Sequence, residues 1–274
     1  MAKKTYYYHE DLKDDFGNIG HNGKALPESF TYLKRNILFK IVSFCLYYGL
    51  AFPILWGVSK IFLGVKVKNK KFLKKELKKK EGFIIYSNHC HYFDAFLSHS
   101  FIGFPKRTYV ISHADPIMIP FVGMLVQLLG CLPLPNTKTN YRNFIDAMRN
   151  LLDKGKVIAI YPEGTLWPYY NGLRNIEKTS FRYAAMMKKP IIVCAETFRK
   201  SKWKNRKPRM NLILSHVIYP KKDFSIKENE EFFYEEAIKF LKKHVEQKEN
   251  VGYHHYLPLS QKKNEYRKLL IRRK

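Results

Sequence analysis

Short apolar, β-rich runs recur along the middle of the chain, at residues 83–86, 108–112, 131–134, 157–161, 191–195 and 212–217. Between them lie helix-length stretches at about residues 94–102, 117–129, 141–152 and 178–188. Near-continuous apolar strands alternating with helices predict an α/β fold, with a mainly parallel sheet covered on both faces. The polar run from Arg199 to Arg209 reads as an exposed loop before the last strand. Residues 228–248 and 258–272 read as basic helices, and no internal repeat is visible.

The N-terminal third follows another pattern. Residues 1–35 are polar and Tyr-rich, and Gly17, Gly20 and Gly23 argue against a long helix, so a loosely structured extension is expected there. Residues 41–59 then carry no charge. As a helix they would reach roughly 29 Å, about the thickness of a bilayer core. Gly49, Pro53 and Gly57 would bend or interrupt that helix. A buried core helix, one crossing and a kinked hairpin in one leaflet are all open to such a segment. Lys34, Arg35 and Lys40 precede it, and Lys66, Lys68, Lys70, Lys71, Lys74 and Lys75 follow it. Basic flanks on both sides favour a segment with both ends on one anionic, cytoplasmic membrane face. The expected organisation is a polar extension (1–35), a membrane-associating helical segment with polybasic linker (36–80), and an α/β domain with basic C-terminal helices (81–274).

Composition sharpens the choice of partner. Lys and Arg number 50 against 23 Asp and Glu, a formal charge of +27. An excess of that size implies an anionic partner: a membrane surface, nucleic acid or a polyanionic substrate. The uncharged segment favours the membrane, and nucleic acid is not expected. The four cysteines, Cys45, Cys90, Cys131 and Cys194, form no CxxC pair and read as reduced, buried thiols.

Two strand ends carry candidate chemistry. The run of residues 83–86 stops at Ser87-Asn88, followed by His89 and, five positions on, Asp94. An imidazole can take a proton from an attacking hydroxyl, and a carboxylate on its other nitrogen fixes the tautomer. On a regular helix, residues five apart point about 140° away from each other. The pair meets only if His89 lies in the turn and Asp94 in the first helical turn. His9 and Asp14 share the spacing but follow no strand, and read as chance. The second strand end is Tyr161-Pro162-Glu163-Gly164-Thr165, where Gly164 allows close backbone approach and Glu163 and Thr165 offer acceptor and donor. A metal reading of His89-Cys90-His91 is disfavoured, because Tyr92 and Phe93 stand where a further ligand is wanted. No metal or cofactor is expected.

Taken together, Asn88-His89-x4-Asp94 and Tyr161-Pro162-Glu163-Gly164-Thr165 resemble the NHxxxxD and FPEGT blocks of the glycerolipid acyltransferase family, which includes lysophosphatidic acid acyltransferases. The resemblance spans roughly residues 80–218. Gly155-Lys156 before the second block and Lys189-Pro190-Ile191-Ile192-Val193 after it fit the same pattern. It implies a membrane-bound O-acyltransferase of phospholipid biosynthesis. His89 would be the general base, oriented by Asp94, on an acceptor hydroxyl that attacks the thioester of acyl-CoA or acyl carrier protein. Glu163, Gly164 and Thr165 would help hold a lysophospholipid or glycerolipid acceptor.

The chain departs from the family where arginines commonly contact the acceptor phosphate. Asn136 and Leu166 stand there, and Arg174 is the best-placed substitute, ahead of Lys138 and Arg142. A non-phosphate lipid or sugar acceptor is the main alternative; Trp167, Tyr169 and Tyr170 would suit stacking on a sugar, an acyl groove or plain packing. A basic nucleic-acid- or lipid-binding protein without catalysis is the remaining one.

Overall fold

The computed structural model describes residues 3–10, 13–17, 25–34, 36–202 and 206–261. Its strands are β1 (Thr5–Tyr8), β2 (Lys66–Lys68), β3 (Phe83–Ser87), β4 (Thr108–Ser112), β5 (Cys131–Pro133), β6 (Val157–Ile160), β7 (Ile191–Arg199), β8 (Arg209–Leu214) and β9 (His255–Pro258). Seven of them form one sheet in the order β2-β8-β7-β3-β6-β4-β5. All its neighbours are parallel except β7 and β8, which pair antiparallel from Cys194↔Leu214 to Arg199↔Arg209. The α/β reading is borne out, with the late hairpin the one reversal of direction.

The helices are α1 (Ile37–Leu63), α2 (Lys71–Glu76), α3 (Asp94–Leu97), α4 (Val122–Leu128), α5 (Lys138–Asp153), α6 (Arg182–Met187) and α7 (Ile226–Val245). α3 continues as a π-helical turn over Ser98–Gly103. Two caps set the longer helices. Thr137 accepts the Asn140 N–H at the start of α5, and Ser225 with Glu228 forms a reciprocal capping box at the start of α7.

Period-two alternation divides β3 and β6 between two cores. Ile84, Tyr86, Ile158 and Ile160 pack with Phe144 and Met148 of α5, Ala184 of α6 and Phe233 of α7. Phe83, Ile85, Val157 and Ala159 pack on the opposite face with Leu97, Phe101 and Leu212. Both faces are covered, which is why these strands read as unbroken apolar runs.

Three expectations change. Residues 5–8 are not loose: β1 pairs parallel with β9 in register Thr5↔His255 to Tyr8↔Pro258. The sheet also starts before residue 81, because β2 is its edge strand. Its alternating Lys66-Val67-Lys68 hid it inside a lysine-rich stretch, but it buries more on one face than the other, as edge strands do. Finally, residues 37–63 form one unbroken helix of 27 residues, with π-helical turns at Cys45–Ala51 and Ser59–Leu63 in place of a break. Pro53 sits in the first turn after one such segment, where its missing N–H is absorbed. The hairpin reading is thereby excluded for this segment. Gly20, Gly23, Arg35, part of the 199–209 loop and most of the helix expected at 258–272 lie outside the described residues.

α1 is pinned to the domain along its length. Ser43 Oγ donates to Leu128 O at 2.6 Å, Tyr47 OH donates to Thr108 O at 3.0 Å, and Tyr48 OH donates to Pro105 O at 3.1 Å. Phe52 stacks on Phe104, and Lys60 Nζ reaches Val65 O. Its other face leaves Ile37, Leu38, Ile41, Phe44, Ile61 and Phe62 more than half exposed. Cys45 on this helix is exposed, against the expectation of burial.

Candidate active site

β3 and β6 are neighbours, and each ends in one of the two motif turns. The site lies at the carboxyl ends of the central strands, the usual crevice of open parallel sheets. The turn after β3 brings His89 back over the start of α3. His89 Nδ1–H donates to Asp94 Oδ2 at 2.8 Å, and the backbone N–H groups of Cys90 and His91 donate to the same oxygen at 2.8 Å each. The spacing condition is met as expected, with the base in the turn and the acid at the first helical position. Nε2 is left as the proton-accepting atom of His89. The other pair behaves differently: the Asp14 carboxylate takes the backbone N–H groups of His9 and Glu10, a local turn with no part for the His9 ring.

Two neighbours steady the pair. Tyr161 OH donates to Asp94 O at 2.6 Å, and its ring lies 4.7 Å from the His89 ring. Burial holds the Tyr161 phenol well above its ordinary range, so it stays neutral. Asn88 bridges to β7: its Oδ1 accepts Glu196 N at 2.8 Å and its Nδ2 donates to Glu196 O at 3.0 Å. His91 is a structural residue here. It is buried, its Nδ1 accepts Phe93 N at 3.1 Å, and Nε2 faces Tyr169 OH at 3.1 Å. Burial lowers it to about 4, so it is neutral at physiological pH.

The second turn braces the first. Gly164 adopts φ +76°, which an L side chain strains to reach. Glu163 is 2% exposed and points inward; its Oε2 accepts His89 N at 3.0 Å. Arg174 closes on it from below, with Nη2 at 2.9 Å and Nε at 3.2 Å from Oε2, and Nη1 donating to Thr165 Oγ1 at 2.6 Å. Arg174 is 3% exposed and does not reach the cavity wall. The expected phosphate-binding arginine is therefore the internal partner of Glu163, and a buried pair of this kind is expensive to break. Arg174→Met should lower stability by about 3–5 kcal/mol by leaving Glu163 unpaired. Urea unfolding measures it, and a loss below about 1 kcal/mol would deny the pair that role.

His89, Gly164 and Thr165 line a cavity of about 580 Å³ together with Asp15, His113, Glu177 and Arg182. Lys138 and Arg142, at the start of α5, are not in its wall. A second, apolar cavity of about 180 Å³ lies between α1 and the β4–β5 edge, lined by Tyr47, Leu55, Phe96, Val126 and Leu129. The two share Ala95, Val110, Ser112 and Pro116 in their walls.

Asn136 is engaged elsewhere, whereas Leu166 lies in the cavity wall. Asn136 Oδ1 accepts from Asn140, and the Leu166 N–H donates to Asp15 Oδ1 at 3.1 Å. Trp167 and Tyr169 are core residues: Trp167 stacks on Tyr256 at 4.8 Å and donates Nε1–H to Asp14 O at 2.8 Å. Packing, rather than a sugar platform, is what those two rings provide.

Sequence reasoning missed Asp15, Arg182 and Glu196. Asp15 and Arg182 carry no motif. Glu196 did leave a signal, as the lone acid inside the apolar run of β7.

Residues 64–196 match the family model described as Acyltransferase. No curated protein matches the chain. Among solved structures, the 1-acyl-sn-glycerophosphate (LPA) acyltransferase PlsC from Thermotoga maritima is similar at 18% identity, over 76% of this chain and 95% of that one, with a TM-score of 0.48.

Proposed function

Residues 64–196 match the Acyltransferase family model, and from that match we propose that the protein moves a fatty acyl group from a thioester to a hydroxyl of a lysophospholipid or related glycerolipid. The observation that carries this reading is His89 Nδ1–H on Asp94 Oδ2 at 2.8 Å, in the wall of a cavity that shares residues with an apolar one. The acceptor hydroxyl gives its proton to His89 Nε2 as its oxygen attacks the thioester carbonyl. The tetrahedral intermediate collapses, the acyl C–S bond breaks, and the proton on Nε2 goes to the departing thiolate. Asp94 holds the ring and stabilises the transient imidazolium. The acyl chain occupies the cavity behind α1, and CoA or acyl carrier protein brings it. No metal enters these steps.

The headgroup end is mixed in charge: Asp15 and Glu177 share its wall with His113 and Arg182. Arg182 takes the role that sequence assigned to Arg174. Its side chain is 59% exposed and only loosely paired, 3.9 Å from Glu230. If the acceptor is a phosphate monoester, Arg182→Ala raises its KM roughly tenfold with little change in kcat, as for a lost charge-assisted hydrogen bond. An unchanged KM for lysophosphatidic acid, beside good turnover of a neutral acceptor, would move the assignment to a non-phosphate glycerolipid or sugar lipid. The deciding assay is purified protein in mixed vesicles with labelled acyl-CoA or acyl carrier protein and a panel of such acceptors.

Membrane attachment belongs to the same reading. α1 is fixed along the domain from Ser43 to Phe52, so a bilayer crossed by it would overlap the domain. A helix in the plane of the interface fits instead. The exposed Phe121 and Met124 before and within α4 extend its apolar face, and the net charge of +27 supports an anionic, cytoplasmic leaflet.

A further inference from the structure

Asp94 has one carboxylate oxygen that the His89 chemistry does not use. Oδ2 takes three N–H donors, whereas the buried Oδ1 has no hydrogen-bond partner. Glu196 lies beside it. Asp94 is 0% and Glu196 1% exposed, and carboxylate oxygens of the two and the Cys90 thiol lie within 4.8 Å of one another.

The surroundings decide which carboxyl is charged. Three N–H groups on Oδ2 favour the anion at Asp94. The Glu196 carboxyl receives no N–H among the described residues. The Ser87 hydroxyl stands 3.2 Å from Oε1 but has one proton, and it also reaches the Cys194 carbonyl at 2.8 Å, which can only accept. The Cys90 thiol is 3.8 Å away and a weak donor. Among the described residues, nothing facing Glu196 supplies a cation. The Cys90 and Cys194 thiols and the Tyr161 phenol are all pushed upward by burial and stay neutral. His91 is neutral, Arg174 is committed to Glu163, and Lys207 sits over the Tyr169 ring. Two buried carboxylates at this range without a cation cannot both ionise.

We propose that Glu196 is a positioning residue, held as the carboxylic acid by its site on β7, that donates its proton to Asp94 Oδ1. The result is a chain from Glu196 through Asp94 to His89, with Asn88 clamping the Glu196 backbone in place. Burial and the neighbouring Asp94 both push the Glu196 carboxyl well above the usual carboxylate range. The donated bond draws charge away from Oδ2, so Asp94 pulls less strongly on the His89 proton. This inference rests on the role given to His89 above.

The test uses the full chain in vesicles or detergent. Glu196→Leu removes the donor and should move the acid limb of the kcat/KM profile upward by about one pH unit. Glu196→Gln keeps a neutral donor and should leave that limb in place, whatever it does to kcat. A downward move of one unit in Glu196→Gln would mean that the wild-type group is an anion, and would overturn the proposal. Two measurements do not depend on turnover. Difference infrared spectra of wild type against Glu196→Gln should show a protonated carboxylic acid band at neutral pH, and NMR titration of His89 should follow the same shifts as the limb. A missing acid band, or a stoichiometric metal ion in the purified protein, overturns the assignment. If wild type transfers no acyl group to any acceptor, the catalytic reading fails while the spectra still judge the proton.

Discussion

His89→Ala is expected to lower acyl transfer to the best acceptor by about 10³-fold, near the middle of the range for a lost general base. The structure makes this a clean experiment. His89 is partly exposed at a cavity wall, and its backbone is held independently by Glu163 Oε2. The variant should therefore fold, and its acceptor KM should stay within a few-fold of wild type. Asp94→Asn should fall almost as far for a different reason. The two backbone N–H groups hold the amide carbonyl at the Oδ2 position, where it still accepts the His89 Nδ1–H, so what is lost is the negative charge that stabilises the imidazolium. Full transfer activity in purified His89→Ala would end the proposed mechanism. Equal losses in the two single variants and in the double variant would show them acting as one unit.

Three charges on the outer face of α1 should release the protein from membranes. Ile41, Phe44 and Ile61 are 54%, 60% and 71% exposed. Fully burying side chains of this kind stabilises by about 1.5–3 kcal/mol each, so three immersed to about half their surface contribute roughly 2–4 kcal/mol. Changing all three to Glu should lower partitioning onto phosphatidylglycerol vesicles by at least about 100-fold, since each 1.4 kcal/mol is tenfold. Thermal stability in solution should barely change, because none of the three is a core residue. Sedimentation with vesicles reads the first quantity and a melting curve the second. If binding survives in low salt and vanishes in high salt, the basic surface alone is the anchor. Binding unchanged at both would remove α1 from the interface.

Much of the core was legible because its physics is local. Strands β3, β4, β5, β6 and β7 begin within a residue of their apolar runs, and β3, β6 and most of β7 are buried on both faces. The His89–Asp94 pair was legible too, because a turn followed by a helix start is the geometry that lets residues five apart meet. What could not be read depends on contacts between distant parts of the chain. Arg174 looked free in one dimension; only the fold shows Glu163 eleven residues away as its partner. β2 was masked by its lysines, which an edge strand tolerates. Glu196 stood out as an acid in an apolar run, but its meaning needs Asp94, a hundred residues earlier, beside it. The continuity of α1 through Pro53 depended on π-helical turns that carry no sequence mark.

The pairing of β1 with β9 also sets an order of events during synthesis. Domains assemble as the chain emerges from its N-terminus. α1 leaves the ribosome long before His255–Pro258, so its apolar face is exposed while the sheet is still incomplete. The 164–170 loop, by contrast, is held by Asp14, Asp15 and Tyr256 acting together. It can settle only when residue 258 has been made and β9 has found β1. The N-terminal helix is thus made first, and the loop that carries Thr165 settles last.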